Sequence, residues 1–523
     1  VKWYAHPELL ESKRKCDEAT KTKNLASLYS LSDIYGQIGH DDTYSDILKA
    51  AFLYSSFTCL SDWIEFSVTD EEKSSYSSMN IALEKYEAEF EKCLYLCRKA
   101  QQHLLKYSDE ISFDDILEEG YYNALYCSLI VNFSNILSRT GRLINSIDYL
   151  LPIADLEFAM GLGNLGNRLA SYADFIHDGN EAVYVAKLGL DNLNRCLQMD
   201  STNMYAEARN SFDKRASILK KKLGESTTLK YEDILSIDLS SVSGEERDYR
   251  DWCANNGLYL THANDAHRHI DVAFDPIHLP PMRMKEEDGI IPTFHGLFNQ
   301  IKQAYVSARF MVFEGLEHRE THFSDKYVYL VNTLDYPVYG LGIEKIKSAY
   351  RSIYSIFDHI AYFLNSYFEL GFKENRIFFK RIWDKKILRD KVKSNYALRG
   401  LYWMRKDLAN ISVSSYKEHI DPVLSKISEI RQAMEHRYFK VHEFEVTDIE
   451  DTDENDRLAF SIGFEDFERY ALTLLSVVRE AILLLGMTVY IEEHAALKNT
   501  GQNTLIVDLP LTNYEDDWKA IQI

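Results

Sequence analysis

The stretch "SEIRQAMEHRYFKV" sets Arg431 and His436 apart by four residues on what reads as one helix. The two types together suit phosphate chemistry. An imidazole can take or give a proton near neutrality, its ordinary pKa being about 6.5. A guanidinium is a permanent planar cation whose fork matches phosphate oxygens. Gln432, Glu435 and Arg437 flank the pair and could orient it. The plain alternative for Arg431 is a salt bridge to Glu435, one helical turn on.

The helix that must carry them has a readable orientation. Val423, Ile427, Ile430 and Met434 form an apolar stripe at spacings of four, three and four. At about 100° per residue, Arg431 lies on the shoulder of that stripe, about 60° from its centre. His436 falls roughly 160° away, provided the helix stays regular. The stripe faces the domain's own core, so His436 points outward. An outward proton-transfer group needs a second wall, and a two-fold partner supplies one.

Around this helix the C-terminal half reads as four principal helices, near 294–317, 342–370, 416–437 and 464–496, with a broken basic insertion between the second and third. Residues 372–440 hold 17 Lys and Arg against 8 Asp and Glu, inside a chain of net charge −22. "YFKVHEFEV" and "TLIVDLPL" alternate like short strands or extended tails, and "EVTDIEDTDENDR" reads as an acidic loop. Residues 20–225 repeat helix after helix, with Gly39 and Gly141 each following one helix and preceding another, 102 positions apart. That is three times the roughly 34-residue tetratricopeptide period, and the segment resembles a degenerate tetratricopeptide array. The expected organisation is all-α: a repeat domain over 1–225, a connector over 226–293, the bundle over 294–500 and a tail over 501–523.

Seven stretches in order, "YRDWCANNGLYL", "AYVSARFMVFE", "SIFDHIAYFLNSYF", "RIFFKRIWD", "NYALRGLYWMRKDL", "RQAMEHRYFKV" and "ALTLLSVVREAILLL", resemble the branch of the HEPN superfamily in which a tetratricopeptide-like half precedes the HEPN half. The likeness runs from about 249 to 485, and "FAMGLGNLGNRLASYADF" extends it upstream. The Arg-x4–6-His signature of that superfamily falls on Arg431 and His436. The resemblance implies a four-helix nuclease that cleaves RNA by attack of the 2′-hydroxyl on the adjacent phosphate, at a site composed across a homodimer or higher homo-oligomer. The RNA brings its own nucleophile, so no metal or other cofactor is expected. Gln432 departs from the Asn, Asp or His that many members carry after the arginine; it is still polar. Within the insertion, Lys380, Arg381, Trp383, Lys385, Lys386 and Arg389 would form an RNA track, with Phe378 and Phe379 beside them, since cations meet phosphates and rings stack on bases. Asp358 and Asp407 are polar points in apolar helices; each could reach the cleft or form a buried helix-to-helix ion pair.

Composition narrows the rest. A net charge of −22 excludes a chain that coats nucleic acid non-specifically, but not a local basic site. Seven cysteines without paired CxxC motifs fit a reducing compartment, and Cys93 and Cys97 read as buried small hydrophobes. The longest apolar run, 481–491, falls short of the roughly 20 residues a membrane span needs, and no signal peptide is read, so a cytoplasmic protein without a membrane partner is expected. "GLGNLG" fits a dinucleotide fingerprint by letter but lacks the strand before it, and helix packing explains its glycines. "THANDAHRHID" gathers His262, Asp265, His267, His269 and Asp271 without a metal-site frame and reads as structural. "EDTDEND" lacks the glycine and terminal glutamate of a calcium loop. The leading reading is a HEPN endoribonuclease, a toxin or antiviral effector, whose repeat half meets a protein trigger or regulator. The alternatives are a non-catalytic scaffold, or a HEPN toxin regulated by a separate nucleotidyltransferase.

Overall fold

Apolar residues at three- and four-residue spacing build helices along most of the chain, and side-chain caps start several of them. Asn24, Asp178 and Ser243 each accept the backbone N–H three residues on, at 3.1, 2.9 and 3.1 Å. The computed structural model describes residues 2–68, 83–110, 116–200, 204–240, 242–283, 292–409, 420–443, 458–499 and 506–507. Nine helices fill the described part of the N-terminal half: α1 (Pro7–Lys21), α2 (Leu25–Ile38), α3 (Asp46–Ser67), α4 (Glu87–Glu110), α5 (Ile116–Arg139), α6 (Leu143–Asp155), α7 (Ala159–Ala173), α8 (Gly179–Gln198) and α9 (Ala206–Leu223). Each packs on the next, as in a stack of helical hairpins. Gly39 and Gly141 both sit in turns between paired helices. The "GLGNLG" glycines lie inside α7, where a Cβ at Gly163 would run into the Phe212 ring and one at Gly166 into Leu193.

After α10 (Gly244–Asn255) the chain enters a loop that is buried, an arrangement that requires its polar backbone to be satisfied. Arg479 does this, donating to the carbonyls of Tyr259 and Thr261 (2.5 and 2.7 Å) and pairing with buried Asp265. Arg309 likewise donates to the Leu258 carbonyl at 2.9 Å and pairs with Asp275 at 2.8 Å. His262 and Asp265 both meet the Tyr172 hydroxyl, so the histidine-rich stretch is a polar wedge between the halves.

The C-terminal half comprises α11 (Thr293–Glu317), α12 (Leu341–Tyr367), an insertion bearing α13 (Lys386–Ser394) and α14 (Tyr396–Ala409), then α15 (Pro422–His436) and α16 (Phe464–Asn499). Asp421 opens α15, its carboxylate accepting the N–H groups of Val423 and Leu424 at 3.0 and 3.1 Å. "YFKVHEFEV" contributes the strand Tyr438–His442, paired in parallel with Ala459–Gly463. Ile506–Val507 of "TLIVDLPL" pairs antiparallel with Met282–Arg283. The acidic stretch 445–457 and most of the tail lie outside the described residues. The architecture is all-α with two small two-stranded sheets.

Helix α16 is long and apolar enough to cross a membrane, yet 83% of its most apolar window is buried inside the protein. It is the central helix of the bundle. The apolar core ignores the order of the chain. One cluster runs from Cys127 on α5 to Val489 on α16, and a second joins α1–α5 to Trp403 and Ile420. Helix α14 lies where both meet. Its Gly400 touches Gly141, whose φ of +86° and backbone contact admit no side chain: a Cβ there would lie 2.5 Å from the Gly400 nitrogen.

Candidate functional site

Helix α15 remains helical through His436 and stops there, because Arg437 turns to extended backbone while its N–H still reaches the Ala433 carbonyl at 2.8 Å. Leu424, Ile427, Ile430, Ala433 and Met434 are buried and Val423 is half-buried. The apolar stripe therefore faces the bundle, Arg431 sits on its shoulder, and His436 is exposed at the helix end. Gln432, Glu435 and Arg437 are exposed beside it.

Helix α12 forms the neighbouring wall. The Tyr350 hydroxyl donates to the Ile427 carbonyl at 3.1 Å, Tyr354 and Ser428 share a hydroxyl hydrogen bond of 3.1 Å, and Arg351 donates to the Met434 carbonyl at 3.0 Å. The Arg431 guanidinium lies 5.4 Å from the Tyr354 ring centre, within cation–π range. Its contact with Glu435 is long, 4.0 Å, and both side chains keep a third or more of their surface exposed. Such a pair contributes little.

The insertion supplies the third side. The Asp358 carboxylate accepts the Phe379 N–H at 2.9 Å, pinning the insertion's aromatic turn to α12. Lys380 follows and is within electrostatic reach of Arg431: desolvation lowers its pKa, Arg431 lowers it further, and Asp358 opposes both. Tyr354 is raised by burial, against the pull of Ser428 and Arg431. Arg431 is half-buried and Lys380 exposed, while Asp358 already serves a backbone amide.

Several expected residues go elsewhere. Trp383 is buried, 1% exposed, among Phe379 and Tyr402, so it belongs to the core and cannot stack on a base. Phe379 is buried too, whereas Phe378 is exposed. Lys380, Arg381, Lys386 and Arg389 are exposed, and Lys385 lies over the Phe372 ring at 4.8 Å. Asp407 is not in the cleft. It is buried on α14 and held by Arg98 of α4 (3.0 Å) and Arg142 (2.8 Å), both from the other half. Charge counting also overstated the track: Arg399, Arg405, Lys406 and Lys440 are buried, Lys406 between Glu87 and Glu91. Arg351 and Tyr354 escaped the sequence reading, although they precede Asp358 by seven and four residues, the spacing of one helix face. Arg98 escaped it because its partners lie over 300 residues away.

Residues 285–492 match the family model described as LA2681-like HEPN. This part of the chain is a HEPN domain. The match covers α11 to α15 and most of α16, and includes Arg431 and His436. No curated protein and no solved structure matches the chain. HEPN domains are associated in general with RNA cleavage or nucleotide-related functions.

Proposed function

We propose that this protein is a metal-independent endoribonuclease of toxin or antiviral-effector type, with Arg431 and His436 at a site completed by a second copy of the chain. The observation that carries the reading is the exposed His436 at the end of the helix whose Arg431 sits on the shoulder of the buried stripe, over the Tyr354 ring. In the proposed reaction the ribose 2′-oxygen bonds to the adjacent phosphorus as the bond to the 5′-oxygen breaks. One His436 takes the 2′-hydroxyl proton and the partner's His436 protonates the leaving 5′-oxygen. Arg431 neutralises the non-bridging oxygens. The products are a 2′,3′-cyclic phosphate and a 5′-hydroxyl.

The repeat half has a physical handle on this site. Arg98 of α4 donates to the Ile420 carbonyl at 3.0 Å and pairs at 3.1 Å with Asp421, the residue that caps the Arg431–His436 helix. A regulator docking on the repeats could act through that cap. Purified protein incubated with total RNA or tRNA in EDTA should yield cyclic-phosphate ends. His436→Ala and Arg431→Ala should each lower the rate by about 100-fold or more without changing the fold. Wild-type cleavage that persists in both variants would remove these residues from the mechanism.

A further inference from the structure

Between α11 and α12 the chain makes a long excursion, residues 318–340, with an unusual surface. Residues 327–334, "YVYLVNTL", contain no charge, in a chain of net charge −22. Tyr329 and Val331 are 91% and 86% exposed, and the alternating Val328 and Leu330 are 58% and 59% exposed. A run that is apolar on both faces is the pattern of a strand covered on both faces. Among the described residues, none forms a backbone hydrogen bond with 329–331. Among the described residues, the N–H and C=O groups of 329–331 are thus open to a further strand along with the side chains.

Its base is firmly set. Val338 donates to the Val441 carbonyl at 2.7 Å, Asp335 pairs with buried Lys440, and the Asp335 carbonyl meets His442 at 2.9 Å. All three contacts fall on the strand that begins two residues after His436. Tyr327, Leu334 and Tyr336 hold left-handed backbone at φ +65°, +65° and +50°, which side-chain-bearing residues adopt only when their surroundings demand it.

We infer that residues 323–339 form a dimerisation arm that pairs with the same arm of a second copy of this chain. Three observations select that occupant. Nine large apolar residues of one arm, from Phe323 to Tyr339, are each half or more exposed, a contiguous patch of the kind that marks a protein interface rather than a monomer's free surface. The uncharged stretch lets two strongly acidic chains meet without like charges opposed, and an extended edge pairs naturally with its symmetry mate. The base of the arm also bonds to the strand that follows the His436 helix, so a pairing through the arm would form on the same region of the surface as that helix end. This last point rests on the proposed composite site; the first two do not.

Analytical ultracentrifugation across micromolar concentrations should give a species of twice the 60.8 kDa chain mass. Tyr329→Glu combined with Val331→Glu should weaken dimerisation by about 100-fold or more, with unchanged circular dichroism. All seven native cysteines are buried, so Leu330→Cys, at the centre of 329–331 where a two-fold pairing brings a residue against its own copy, introduces an exposed one, and mild oxidation should cross-link two chains through it. A monomeric wild type, or a dimer that survives the double charge substitution, would overturn the arm. So would a folded Leu330→Cys protein that fails to cross-link. A monomer that binds lipid vesicles or another protein through the arm also overturns it. If dimers form as described but RNA is untouched, the arm stands and the ribonuclease reading falls.

Discussion

Replacing Asp407 with alanine should destabilise the whole protein rather than silence a site. The carboxylate is 2% exposed and takes three hydrogen bonds, two from Arg98 at 3.0 Å and one from Arg142 at 2.8 Å. Arg142 is held on its other side by Glu480 of α16 at 2.7 Å, and Arg98 by Asp421 at 3.1 Å. Burial alone would push the pKa of Arg98 down; Asp407 and Asp421 together leave it raised. Removing Asp407 leaves two dehydrated guanidiniums short of their acceptors, and breaking such a buried pair costs about 3–5 kcal/mol.

For a chain of this length unfolding as one unit, the unfolding entropy is roughly 1.1 kcal/mol per kelvin, so that loss lowers Tm by about 3–5 °C. The two apolar clusters both cross between the halves, which is why one transition should move as a whole. Differential scanning calorimetry of Asp407→Ala, Arg98→Ala and the double variant would measure both the drop and a coupling on the order of 2 kcal/mol. A Tm within about 1 °C of wild type, with RNA cleavage lost, would refute the reasoning and return Asp407 to the cleft.

Trp383→Ala should likewise cost about 3–5 kcal/mol by emptying the core, whereas Lys380→Ala should leave Tm within about 0.5 °C and weaken RNA binding; thermal melts and filter binding separate the two. Glu181 sets a pH dependence. Burial raises its carboxyl from the ordinary 4.5 to about 8, with Thr261 and the His262 N–H opposing and Asp178 and Asp265 reinforcing. The folded state therefore keeps a proton that the unfolded chain has lost, so this contribution is full below pH 4.5, declines as pH rises and is gone above about 8. Glu181→Gln should flatten the fall in Tm between pH 5 and 8, and an unchanged slope would show that Glu181 is ionised in the fold. His177, lowered to about 4 by burial and by His278, has the opposite sign: its contribution is lost as pH falls from 6.5 toward 4.

What was legible in the sequence followed from local periodicity. The stripe on α15 placed Arg431 on its shoulder and His436 outward, because a regular helix turns a one-dimensional spacing into an angle. The hairpin turns at Gly39 and Gly141 were readable too, and the alternation in "YFKVHEFEV" left a strand or an extended tail open, of which the structure shows the strand Tyr438–His442. Pairing at a distance was not. Nothing near Asp407 reveals Arg98 or Arg142, and nothing in "FKRIWDKK" says that its tryptophan turns inward while its lysines turn out. Net charge could not separate cations that face solvent from Lys406, which lies between two glutamates of α4. The arm carried a signal that helical periodicity hides: eight uncharged residues with strand propensity, outside any helix.

Helix α14 explains how one half of the chain could govern the other. Its side chains engage the repeats through Tyr396 to the Ser138 carbonyl, Tyr402 to Glu87, and Lys406 and Asp407 to α4 and α6's leading turn. Its far side packs on α15, where the Leu408 carbonyl accepts the Ser428 hydroxyl at 2.7 Å, one turn before Arg431. Moving α4 relative to the bundle would thus disturb the cap of α15 at Asp421 and the support of Arg431 through Ser428 and Tyr354 together. A bias of about 1.4 kcal/mol between two such arrangements would change their ratio tenfold, roughly a third of what breaking the buried Arg98–Asp407 pair costs. A ligand on the repeats that shifted α4 would therefore reach the Arg431–His436 helix through these contacts; if a variant that loosens them, such as Tyr402→Phe, left any trigger response unchanged, that route would be excluded.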